Sequence, residues 1–161
     1  MRALRARRAV QQRFVKQGAV VTITEKPRCT AILLCDDVFV DPATHKVHLI
    51  GVFNAIRPTE FPSRRDELCV FVALTDFVGS SRLAVICTRA DSDRDVLGSL
   101  LHTVKLHHPL ETRYLVFRLR GCVFRVPGEY RAQCFAGEFL IGDTRLALLS
   151  PKGNFHEQSL R

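Results

Sequence analysis

From residue 29 onward the chain is a succession of short apolar stretches, rich in β-branched and aromatic residues and each closed by Asp, Gly, Pro or Ser. That punctuation leaves little room for helices and is the pattern of an all-β chain. Strands are predicted near 30–40, 46–56, 67–77, 82–90, 98–107, 112–124, 129–136 and 139–149. Only the stretch "VLGSLLHTVKLH" also fits a helix face, through Leu97, Leu100, Leu101 and Val104. Gly98, Thr103 and the alternation of Val104 with Leu106 favour strand there. So many strands in so short a span point to an immunoglobulin-like β-sandwich of about seven to nine strands.

The turns support that reading. In "DPATHK", Asp41 and Pro42 open a turn, because proline presets φ and aspartate accepts from free amides. "RPTEFPSRRDE" holds Pro58 and Pro62 and is expected to cross between sheets. In "VPGEYRAQCFAGEFLIGDTRLAL", Tyr130, Ala132 and Cys134 alternate with Arg131, Gln133 and Phe135, and Gly137-Glu138 marks the reversal of a hairpin.

A chain of 161 residues fits one domain, and 47% hydrophobic with 25% charged residues is ordinary globular composition. The net charge of +8 suggests nucleic acid, but it is unevenly placed. Residues 1–28 hold eight basic side chains (Arg2, Arg5, Arg7, Arg8, Arg13, Lys16, Lys26 and Arg28) against Glu25 alone, leaving 16 basic and 15 acidic residues for the rest. A nucleic-acid-binding fold usually carries its charge on a face of the body, where it displaces counterions from phosphates. Here the charge belongs to an arm.

Residues 1–28 are therefore read as a basic, flexible N-terminal arm, residues 29–150 as the sandwich, and residues 151–161 as a flexible tail. No apolar core of signal-peptide length follows the arginines, and the arm lacks the serines of a transit peptide. No run approaches the length of a membrane-spanning helix. A cytoplasmic location follows as the expectation, with nucleic acid or an anionic membrane as partners only through residues 1–28.

Six cysteines, at 29, 35, 69, 87, 122 and 134, form no C-x-x-C pair, so zinc-ribbon and redox motifs are absent. Most sit within apolar runs and read as buried thiols in a reducing compartment.

The segment "CDDVFVDPATHKVH" nonetheless gathers Cys35, Asp36, Asp37, His45 and His48. The stretches 30–40 and 46–56 are read as the first strand pair of the sandwich, joined by the Asp41-Pro42 turn. Asp36 and Asp37 then point to opposite faces, and so do strand residues three apart such as His45, at the turn, and His48. A metal or carboxylate-pair site there requires irregular backbone. His107-His108 before Pro109 reads as a solvated turn. Asp91, Asp93 and Asp95 have the spacing of a calcium loop, but Val96 stands where its glycine belongs and His102 where its closing glutamate belongs. There is no G-x-S-x-G and no phosphate-gripping glycine loop. No catalytic, cofactor-binding or metal-ligating residue is assigned.

The stretches "AILLCDDVFVD", "KVHLIGVFNAI", "ELCVFVAL" and "PGEYRAQCFAGEFL" together resemble an uncharacterised bacterial family, a domain of unknown function, over roughly residues 30 to 149. Its pattern is an apolar strand ending in Cys-Asp, a Leu-Ile-Gly-Val/Ile-Phe strand and a late Pro-Gly-x-Tyr hairpin. The resemblance implies a compact β-sandwich of bacterial origin and supplies no activity, ligand or catalytic residue. The leading expectation is a non-enzymatic binding or protein-interaction module, with a protein or small molecule as partner. Two alternatives stand beside it. One is a metal-dependent or hydrolytic enzyme using Asp36, Asp37 and the nearby histidines. The other is a domain tethered to nucleic acid or anionic membrane by its arm.

Overall fold

The computed structural model describes residues 26–151, all strand, turn and irregular chain with no helix. Ten strands follow in order: β1 (Arg28–Cys35), β2 (Asp37–Val40), β3 (Val47–Ile50), β4 (Ala55–Ile56), β5 (Ser63–Thr75), β6 (Gly79–Arg89), β7 (Ser92–Leu106), β8 (Arg113–Phe124), β9 (Gly128–Ala136) and β10 (Phe139–Leu148). They build a three-stranded sheet in the order β1-β5-β8, a five-stranded sheet β4-β10-β9-β6-β7, and the separate hairpin β2-β3. Every pairing is antiparallel except the short parallel contact of β4 with β10.

The two larger sheets form the sandwich because their strands bring apolar side chains to one shared interior. Leu68, Val70, Val72 and Leu74 of β5 meet Leu83, Val85 and Cys87 of β6 there, joined by Phe117 and Leu119 of β8 and Leu146 of β10. Each fully buried aliphatic side chain of this kind contributes about 1.5–3 kcal/mol through removal from water. Tyr130 is 1% exposed, and its hydroxyl donates to the Val126 carbonyl at 2.7 Å, which keeps a buried polar atom satisfied. Its ring meets Phe124 edge-on, with centroids 5.1 Å apart.

β8 would not deliver both its halves to this interior without Gly121. Phe117 and Leu119 point inward before it, Cys122 and Phe124 after it, so the odd–even alternation reverses. Gly121 has φ 67°, a left-handed conformation that glycine adopts without a Cβ penalty and that re-aims the strand.

The expected all-β sandwich is what forms, and the predicted hairpin at residues 129–149 is β9-β10. Two expected strands divide. The stretch 30–40 breaks at Asp36 into β1 and β2, and 46–56 breaks after Ile50 into β3 and β4. As a result β1 pairs along its length with β5 and meets the 46–56 stretch only at the isolated bridge Leu34–Phe53. β2 and β3 pair with each other as a hairpin separate from the two larger sheets, so 30–40 and 46–56 are not the first strand pair of the sandwich. The arm through residue 25 and the tail from residue 152 lie outside the described residues; Arg28 already pairs with Thr75 as the first residue of β1.

Candidate functional site

β5 is buried on both faces, which explains its unbroken apolar run LCVFVAL. From Leu68 to Leu74 its even-numbered residues enter the interior of the sandwich. Cys69, Phe71 and Ala73 lie on the outer face of the three-stranded sheet, where register sets three rows across β1, β5 and β8. These rows are Cys35–Cys69–Arg118, Leu33–Phe71–Val116 and Ala31–Ala73–Tyr114. An apolar column of this kind cannot be left in water without cost, and the β2-β3 hairpin covers it. Val38, Val47 and Leu49 pack onto Cys35, Cys69, Phe71 and Ala73, and the Phe71 ring stacks on Tyr114 with centroids 5.8 Å apart.

The hairpin's tip is the Asp41 turn. The Asp41 carboxylate accepts from the Ala43 amide at 2.8 Å and from the Thr44 hydroxyl at 2.6 Å. The Asp41 amide donates to the Lys46 carbonyl at 2.9 Å. These bonds, the Thr44 hydroxyl first and the Ala43 amide next, hold the Asp41 carboxyl below its ordinary pKa. At the base, the Asp36 amide donates to the Ile50 carbonyl at 2.9 Å and the Gly51 carbonyl at 3.2 Å, which folds β2-β3 back over the sheet. Gly51 has φ 61°, and a Cβ on it would collide with the Asp36 carboxylate. No other residue fits that corner without strain.

Asp36 and Asp37 are each engaged by a different arginine. Asp36 lies 3.7 Å from Arg65, whose guanidinium sits 5.1 Å over the Phe53 ring. Asp37 accepts from Arg118 at 2.6 Å, and the other Arg118 nitrogen binds Glu67 at 2.6 Å. Arg120 adds a looser contact to Glu67 at 3.6 Å. The Arg118 hydrogen bond, helped by the Val38 amide, holds the Asp37 carboxyl below its usual value. Its bonds to Asp37 and Glu67 raise Arg118 further above its already high value. The Arg118 and Val38 bonds to Asp37 both fall on Oδ1, and the lowered pKa makes Asp37 a weaker proton acceptor than a free aspartate.

The histidines do not join them. His45 sits in the turn at φ 55°, and His48 pairs across the hairpin with Phe39, their rings 5.9 Å apart. His108 Nδ1 accepts from the Leu110 amide at 3.2 Å inside its own turn. Asp91 pairs with Arg89 at 2.7 Å, while the side chains of Asp93 and Asp95 lie outside the described set. Among the described residues no three His, Cys, Asp or Glu side chains converge to hold a metal ion.

All six cysteines are free thiols, five buried and Cys29 half-buried. Cys35 and Cys69 face each other directly, one thiol hydrogen-bonded to the other at 3.7 Å. Burial, and next the Cys35 hydrogen bond, push the Cys69 thiol up to about 12. Sequence reasoning did not single out this pair or the Arg118–Glu67–Asp37 chain. The parity of β5 was the available signal, but the partner strands carry no mark of which residue they will meet.

What the hairpin leaves at the surface is apolar. Phe39, Val40 and Ile50 on it are each just over half exposed, and Leu33, Tyr114 and Val116 remain exposed beside it. These are six of thirteen exposed large apolar side chains among the described residues, three on the outer face of the three-stranded sheet and three on the hairpin that covers it. Monomeric proteins usually keep contiguous patches of this sort small.

A model for a family of unknown function matches residues 30–148 of the chain. No curated protein matches it. Among solved structures, an alkylpurine DNA glycosylase of Pseudomonas fluorescens, AlkC, bound to DNA containing an abasic-site analogue, superposes with a TM-score of 0.50 at 9% identity. That alignment covers 92% of this chain and 36% of the glycosylase chain, so this chain spans about a third of it. At this identity the likeness is one of fold alone. An immunoglobulin-like protein from Pseudomonas aeruginosa aligns at a TM-score of 0.39 and 15% identity, over 78% of this chain and 98% of that one.

Proposed function

The chain belongs to DUF6941, a family of unknown function, and we propose that it acts as a non-enzymatic protein-interaction module working through the face that carries the β2-β3 hairpin. The observation that supports this reading is the set of exposed apolar side chains there, Phe39, Val40, Ile50, Leu33, Tyr114 and Val116. The arginine–carboxylate chain of Arg118, Asp37 and Glu67 borders it. An apolar centre with a charged rim is the anatomy of a protein interface. Two outward residues of the hairpin, Phe39 and Ile50, are the natural anchors.

The test is recovery of a specific partner with the tagged protein from its native host, followed by binding with purified components. The double variant Phe39→Glu/Ile50→Glu, both on the water side of the hairpin, is expected to fold and to lose that partner. Unchanged partner binding by the folded variant would overturn the reading.

Two further elements belong to the proposal. A cytoplasmic location suits six unpaired thiols in one small domain; no helix among the described residues is long and apolar enough to cross a membrane. The eight basic residues of 1–28 supply an electrostatic tether to nucleic acid or an anionic membrane. Salt-sensitive binding that survives deletion of 1–28 would refute that tether.

A further inference from the structure

The six thiols fall into two environments. Cys87 pairs in register with Gly98, and a Cβ on Gly98 would lie 3.3 Å from the Cys122 sulfur of the facing sheet. Cys134 likewise pairs with Gly142, and a Cβ there would lie 2.7 Å from the Cys29 sulfur. The Cys122 and Cys29 sulfurs thus lie in the space those glycines leave, and all four cysteines belong to the sandwich interior or pack against it. Cys35 and Cys69 instead lie on the outer face of the three-stranded sheet, beneath a single layer of chain.

The geometry of that second pair suits a bond. Leu34 accepts from the Phe53 amide at 3.0 Å, on the side away from β5. Cys35, the next residue, therefore turns its own backbone groups toward Cys69, and the two form a hydrogen-bonded antiparallel pair. Cα atoms in such a pair lie about 5.5 Å apart, within the disulfide range, while its Cβ atoms, farther apart than in a non-hydrogen-bonded pair, have to draw together toward the roughly 3.8 Å of a disulfide. The sulfurs, now 3.7 Å apart, have to approach by less than roughly 2 Å to reach a disulfide length.

The covering layer is small. Each hairpin strand is four residues, and the hairpin rests on three aliphatic side chains and the Asp37–Arg118 ion pair. A two-stranded ribbon is marginal alone, so its opening takes less free energy than unfolding the sandwich.

We propose that Cys35 and Cys69 are a modification site at which a hydroperoxide, the chemical class of co-reactant, forms a cross-strand disulfide under the hairpin. With hydrogen peroxide, the Cys35 thiol gives up its proton and its sulfur attacks one peroxide oxygen. The O–O bond breaks, leaving Cys35 as a sulfenic acid, and the departing hydroxide takes the proton to become water. The Cys69 sulfur then attacks the Cys35 sulfur, the S–O bond breaks, and the second hydroxide leaves with the Cys69 proton as water. Two thiols lose two electrons and the peroxide gains two. Burial raises the pKa of both thiols. The hydrogen bond between them offsets that rise at Cys35 and adds to it at Cys69, so Cys35 is the attacking sulfur once the hairpin lifts.

The experiment treats the reduced full chain with hydrogen peroxide and reads intact mass and a non-reducing peptide map. The expected result is loss of two hydrogens, reversed by dithiothreitol, with one new link joining the peptides of Cys35 and Cys69. Cys69→Ser abolishes the link, Cys122→Ser does not, and Leu49→Ala, which thins the cover, speeds it several-fold. No loss of two hydrogens, a link between other cysteines, or a link that persists in Cys69→Ser would overturn the proposal. The wild-type map decides by itself, so a serine variant that fails to fold does not shield it.

Discussion

β5 takes part in two buried layers that differ in depth. Leu68, Val70, Val72 and Leu74 enter an interior closed by a second sheet of five strands. Cys69, Phe71 and Ala73, on the opposite face of the same strand, are closed by one short hairpin. Both layers exclude water, since even Phe71 is only 6% exposed. They differ in what must move to let water in. The inner layer opens only when the sandwich comes apart, whereas the outer one opens when eight strand residues lift. Burial alone therefore does not rank positions by stability, and the size of the covering element does.

That contrast is breakable by experiment. The largest effect is expected in the inner layer, where Phe117→Ala should cost about 3–5 kcal/mol, read as a lower denaturant midpoint for the whole domain. If the two layers were equivalent, Leu49→Ala in the hairpin would cost as much. Instead it should cost about 1 kcal/mol, because a half-buried leucine surrenders only part of its transfer energy. Its signature should be local. Amide exchange should rise in residues 37–50 and not in β6 or β9, and a uniform rise would show that the layers are one cooperative unit.

The smallest effect lies at the rim. Arg118 holds the Asp37 carboxyl below its ordinary value, so the folded state binds that proton less readily than the unfolded one. The stabilisation is present above the unfolded pKa, near 3.9, and is lost as pH falls through the lowered folded value. Carboxyl chemical shifts should give Asp37 a midpoint below that of ordinary aspartates, returning toward it in Arg118→Lys, which removes the two-pronged contact. The pair is solvent-exposed, so thermal stability above pH 5 should scarcely change.

The strand pattern was readable because it is local. Apolar runs ended by turn residues located nearly every element, and the Asp41-Pro42 turn follows from side chains binding amides two and three residues away. The break at Asp36 was not readable, because nothing within 30–40 prevents one continuous strand. It occurs because the outer face of β5 is apolar and needs a cover, a requirement set some thirty residues further on. Gly51 is the local trace of that corner, legible only once its φ and the nearby Asp36 carboxylate are known.

The candidate face was partly legible for the same reason. Cys35, Asp36, Asp37, His45 and His48 drew attention as a cluster in sequence, and strand alternation set them on opposite faces. The break at Asp36 and the turn at His45 remove the continuous strands that argument assumed. Their real partners, Cys69, Arg65, Arg118, Glu67 and Phe39, come mostly from β5 and β8.

By itself the sequence determined the strands, the turns, the apolar doubling of β5 and the segregation of positive charge into residues 1–28, since each rests on neighbours along the chain. Only the tertiary structure decided that β1 leaves β2 to pair with β5, that a hairpin roofs the outer face, and that Cys35 meets Cys69. Those outcomes depend on which apolar surface most needs shelter from water, and that is a property of the assembled sheets.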